Sequence, residues 1–212
     1  MTYVPAVKTT RTRTLTTVLA LALALALSLS ACATTPGAAT GSGGATAVSG
    51  STPADDAAGQ PAEVNDVDLH FLAMMTPHHQ QAVEMSDIVL AADGVSEETR
   101  DLALRIATGQ QAEINTMVTW ATDWDQLDLL EVHSVHVANG MLLPEQITAL
   151  ADLTGADVER RFLEEMRAHH VGAIAMTEDQ VANGGFGELR DLAQVMIDVQ
   201  TAEVEEMDAL LG

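Results

Sequence analysis

The chain has 212 residues, with 9 Lys+Arg against 31 Asp+Glu and a formal net charge of −22. Hydrophobic residues make up 47% and aromatics 3%, which is ample for a buried core and favours helices over strands. No basic stripe is available to displace counterions from phosphates, so a nucleic-acid partner is excluded, and a field of this sign attracts cations instead.

Residues 1–31 read as a signal peptide. Lys8, Arg11 and Arg13 form a basic start, Leu15 to Leu29 an apolar stretch, and Leu29-Ser30-Ala31-Cys32 resembles a bacterial lipobox. Cleavage before Cys32 would leave a lipidated thiol, anchoring the protein at the extracytoplasmic face of the cell membrane, and would remove those three basic residues. An ordinary secretory signal and an uncleaved anchor are the alternatives. With Cys32 the only cysteine, a disulfide framework and a cysteine zinc site are excluded. Residues 32–63, rich in Ala, Thr, Gly, Ser and Pro, read as the lipidated cysteine followed by a flexible tether too poor in apolar surface to order itself.

Residues 64–212 carry a helical period and an internal repeat. Phe71, Leu72, Met75, His78, His79, Ala82 and Met85 recur as Phe162, Leu163, Met166, His169, His170, Ala173 and Met176, an offset of 91. Gln110, Ala112, Glu113 and Met117 recur as Gln200, Ala202, Glu203 and Met207, at an offset of 90. Each copy, about 65–122 and 156–211, predicts a helical hairpin: 65–92 with 97–122, and 156–183 with 187–211. Two hairpins that cannot bury their faces alone predict an all-α four-helix bundle. The segment 123–155 crosses between them, with a short helix expected after Pro144. Pro77 predicts either a kink in the first helix or a fresh start capped by Thr76.

Spacing by threes and fours places Met75, His78 and Met85 on one buried stripe, and Met166, His169 and Met176 on another. The second and fourth helices bring Glu113 and Glu203 to their buried stripes. A buried carboxylate needs a partner, so pairing with His across the bundle, directly or through a metal, is expected. His79 and His170 follow Met75 and Met166 by four residues and share a helix face with a thioether. Imidazole with thioether suits copper, above all Cu(I), better than the oxygen-seeking Mg²⁺ or Ca²⁺. Core-filling Met and hydrogen-bonded core His are the plain alternative. The crossover offers a possible additional set, His133, His136 and Met141, while His70 and Met74 form an exposed pair one helical turn apart.

The doubled Phe-Leu-x-x-Met-x-x-His-His-x-x-Ala-x-x-Met pattern with its later Gln-x-x-Glu resembles the bacterial domain of unknown function 305. The resemblance covers about residues 65–211. It implies a ferritin-like fold, copper binding, and His78, His79, His169 and His170 with Met75, Met85, Met166 and Met176 as the ligand pool. Arg167 beside Met166 and a crossover poor in His and Met depart from the family pattern.

Taken together, these features predict a membrane-anchored metal-binding protein that sequesters or hands on copper. A metal-free helical interaction module of the envelope is one alternative, and a ferritin-like di-metal oxidoreductase another. The latter normally needs Glu-x-x-His on two helices, whereas Met75, Thr76, Met166 and Arg167 stand three residues before the His pairs. There is no Gly-x-Ser-x-Gly elbow and no phosphate-cradling Gly-Lys loop, so the expectation is a protein that is not an enzyme.

Overall fold

The computed structural model describes residues 61, 63–133 and 138–212. The expected signal peptide, Cys32, nearly all of the tether and His136 lie outside the described residues.

Six helices follow one another: α1 (Asp66–Ala91), α2 (Glu97–Asp123), α3 (Leu127–His133), α4 (Pro144–Ala151), α5 (Gly155–Asn183) and α6 (Gly187–Leu211). The four long ones match the predicted spans to within a residue. α1 begins at an Asn65–Asp68 capping box: the Asn65 side chain accepts from Val67 and Asp68 N–H, and Asp68 accepts from Asn65 N–H at 2.8 Å. α2 begins at Ser96, whose hydroxyl accepts from Thr99 N–H. α4 starts with Pro144 at its first turn, as expected. The helix α3 has no counterpart in the sequence reading. α1 runs unbroken through Pro77, so Thr76 does not open a new helix; its hydroxyl instead lies 3.9 Å from the Met117 sulfur.

α1 packs on α2 and α5 on α6, and the two hairpins meet along α1 and α5. The core is divided. One apolar cluster holds Ala82, Met85, Leu102, Ile106, Phe162, Met166 and Met207 among others. The other holds Phe71, Leu72, Met75, Met117, Ala173, Leu189 and Met196. Along α1 and α5 the His pairs fall between the two clusters, and so do Gln110 and Glu113 on α2 and Gln200 and Glu203 on α6. A polar layer therefore crosses the middle of the bundle.

Burying apolar side chains of this size stabilises a fold by about 1.5–3 kcal/mol each, so the two clusters carry the stability while the layer between them draws on it. A buried carboxylate ties the first hairpin to the second. Asp68, fully buried, accepts from Gln180 Nε2 at 2.6 Å and from the backbone N–H of Gly185 and Phe186 at 2.9 and 3.1 Å. Among the described residues no helix is long and apolar enough to cross a membrane.

Candidate metal centre

Spacing predicts one His–Met stripe on each hairpin. The structure instead gathers all four imidazoles where α1 meets α5. His78 and His169 face each other with ring centroids 3.7 Å apart and planes tilted by 39°, and the His170 ring lies 6.3 Å from that of His169. All four rings are buried.

Each Glu pairs directly with a His of its own hairpin. The Glu113 carboxylate accepts from His79 Nε2 at 2.8 Å, and Glu203 from His170 Nε2 at 2.9 Å. His78 Nε2 donates to the Asn139 carbonyl at 2.9 Å. A carboxylate or carbonyl oxygen can only accept here, so Nε2 carries the proton in all three rings. That leaves Nδ1 as the second ring nitrogen of His78, His79 and His170. Each is buried without a hydrogen-bond partner, as are both ring nitrogens of His169. Metal-bound His residues are held in the same way, one nitrogen fixed by a carboxylate or carbonyl and the other left for the ion.

Electrostatics keep the central pair neutral. Burial pushes His78 down from 6.5 to about 3, opposed by the bond to Asn139 and helped by the neighbouring imidazoles of His79 and His170. His169 is held well below its ordinary value by burial first, then by His78, His170 and His79. A neutral imidazole has a lone pair to offer at physiological pH.

Met75 and Met166 are fully buried, one helical turn before His79 and His170. Met85 is also buried, in the same apolar cluster as Met166, while Met75 belongs to the other. Met176 is half-buried and lines a surface cavity. Among the described residues no three His, Cys, Asp or Glu side chains already stand as a coordination set, so an ion held here draws on methionine sulfur or on re-aimed rings. Of the additional set, His133 ends α3, His136 is outside the described residues, and Met141 is half-buried on the way into α4.

Asn139 escaped the sequence reading. It sits at φ 52°, a left-handed conformation Asn tolerates, and the following Gly140 has φ 83°. A side-chain carbon at Gly140 would collide with the Ala168 carbonyl oxygen, and one at Gly172 with the Asn139 oxygen. These two glycines let the loop lie on α5 over the His layer, and they were the available signal for it.

The family model for the domain of unknown function DUF305 matches residues 68–211. Among solved structures, a DUF305 protein from Streptomyces coelicolor is 30% identical, with a TM-score of 0.62, covering 71% of this chain and 94% of its own. CopM in its Cu(II)-bound form is 30% identical with a TM-score of 0.60, covering 68% of this chain and 95% of its own. The Cu(I)-bound form of CopM is 29% identical with a TM-score of 0.56, covering 68% and 94%. No curated protein matches the chain. With the family model spanning the bundle from the first turn of α1 to the end of α6, the chain belongs to the DUF305 family.

Proposed function

We propose that the protein binds copper through its buried imidazole layer and acts as a non-catalytic copper-sequestering or copper-transferring protein. The reading rests on one observation above all: three buried rings have Nε2 anchored by Glu113, Glu203 or the Asn139 carbonyl, and each leaves Nδ1 without a partner. A buried polar atom without a partner costs about 1–3 kcal/mol, and a bound cation would remove that cost. The donors fit the ion: neutral imidazole with the buried thioethers of Met75 and Met166 is a soft-to-borderline set that favours copper over the hard divalent cations. The similarity to CopM, solved in Cu(I)- and Cu(II)-bound forms, supports the same ion. The copper is cargo in this account, and Glu113 and Glu203 orient the rings.

In this reading a lipid on Cys32 holds the protein at the outer face of the membrane. Copper arriving from outside would then meet a strongly acidic surface before reaching the layer. Anaerobic Cu(I) titration of the purified protein, with elemental analysis of apo and loaded samples, tests the proposal. Copper should bind stoichiometrically, and replacing His78 and His79 together should remove far more capacity than replacing Met117. Equal titration of the two variants, or no binding by the parent, would leave the His–Glu pairs as purely structural features of a metal-free module.

A further inference from the structure

Beside the polar layer a cavity of about 260 Å³ opens to the surface, lined by His70, Phe71, Met74, Asn139, Met176 and Asp179. His70 is exposed, and Met74 and Met176 are half-buried, so an imidazole and two thioethers reach solvent at one place. The repeat does not account for this group, because Leu69-His70 of the first copy has no His counterpart in Arg160-Arg161 of the second. Asn139 belongs both to this cavity and to the buried layer. Its carbonyl accepts from His78 Nε2 at 2.9 Å, while its side-chain amide lies 2.7 Å from the Met176 sulfur.

We infer that this cavity is a surface loading site for a soft monovalent cation, held by His70, Met74 and Met176, with Asn139 as the gate to the buried His78–His169 pair. The inference rests on the copper-binding reading and adds to it a second site and a route. The donors are of the right class, since thioether sulfur selects Cu(I)-like ions and discriminates against hard cations. Asp179 supplies a negative charge at the mouth without being needed as a ligand. The Phe71 ring forms one wall, which lowers the local dielectric and strengthens the hold on an ion.

The gate is cheap to open. A thioether is a weak acceptor, so an ion arriving at the Met176 sulfur displaces the Asn139 amide with little loss. The remaining tie, the bond from His78, is then the only described side-chain hydrogen bond between Asn139 and the buried rings. Releasing it unpins the His78 ring, which can then turn its bare Nδ1 toward the arriving ion. The ion thus passes from two thioethers and an imidazole outside to imidazoles inside, exchanging ligands in steps and never entering bulk apolar core.

Ag(I), which copies Cu(I) without redox chemistry, is the probe. Titration calorimetry and stopped-flow loading of the parent are compared with the Met74→Leu, Met176→Leu double variant, whose leucines keep side-chain volume and apolar character. The double variant should lose one equivalent of Ag(I) and load its buried layer more slowly by about tenfold, the scale on which loss of a supporting ligand acts. Unchanged stoichiometry and rate in a double variant of normal helicity would overturn the loading site while leaving copper binding intact. No Ag(I) uptake by the parent would overturn the copper reading itself. Because Met74 is only half-buried, Met74→Leu alone provides the same comparison should the double variant fail to fold. Gly172→Ala, whose methyl would collide with the Asn139 oxygen, should displace the gate and speed transfer inward; an unchanged rate would remove Asn139 from the route.

Discussion

The neutral state of His78 makes the metal-free protein acid-labile in a way that can be isolated. In the unfolded chain this ring takes a proton near pH 6.5, while in the fold burial holds it off until about pH 3. The folded-state value is the lower one, so the stabilisation is fully present above pH 6.5 and is lost as pH falls from there toward 3. Between pH 7 and pH 5 the linkage amounts to about 2 kcal/mol for this one ring, at about 1.4 kcal/mol per pH unit once the unfolded chain is protonated. His78→Leu removes the titrating group at similar volume, and the Asn139 carbonyl it abandons belongs to an exposed residue that water can reach. Urea unfolding of parent and variant at pH 7, 6 and 5, at constant ionic strength and with a chelator present, measures the difference. The parent should lose about 2 kcal/mol more than the variant over that interval. Parallel pH dependences would refute the claim that His78 is buried neutral.

Glu113→Gln and Glu203→Gln should each weaken copper affinity by about 10- to 100-fold while leaving stoichiometry unchanged, because an amide orients the imidazole less firmly than a carboxylate; competition with a colorimetric Cu(I) chelator reads this. Asp68→Asn should destabilise the fold by about 3 kcal/mol in urea unfolding, since the amide nitrogen that replaces one oxygen cannot accept from the N–H groups that converge there. Glu159 accepts from Ser96 N–H and from the Ser96 and Thr99 hydroxyls. Burial raises its pKa, but these bonds outweigh burial and the net value is lowered. Its contribution is therefore present above pH 4.5 and lost as pH falls below it, and Glu159→Gln should flatten the acid limb of the melting temperature. Cys32→Ala should leave the folded domain intact by circular dichroism and move it from the membrane fraction to the soluble one.

Much of this was legible because the chain repeats itself. The 91- and 90-residue offsets aligned the four long helices and placed their spans to within a residue. The His–Glu pairing was legible too, since a carboxylate on a buried stripe requires a partner. Three things were not. Helical spacing shows that His78 and His169 face inward, but not that α1 and α5 bring them ring to ring, because that depends on how two helices distant in sequence pack. Asn139 lies in a loop with no period, and its role follows from the close approach that Gly140 and Gly172 permit. The capping motif of α1 was present at Asn65 and Asp68, yet the bonds from Gln180, Gly185 and Phe186 to Asp68 are tertiary and left no local trace.

X-ray absorption at the copper edge of the anaerobically loaded protein, compared with a variant lacking His78, His79, His169 and His170, bears most directly on the copper-binding account. The parent should show imidazole scattering together with sulfur at thioether distance, and the variant should lose the imidazole component along with most of its copper. A parent spectrum of oxygen ligands alone, or one that the variant reproduces in full, would mean that the ion sits elsewhere and that the buried layer is structural.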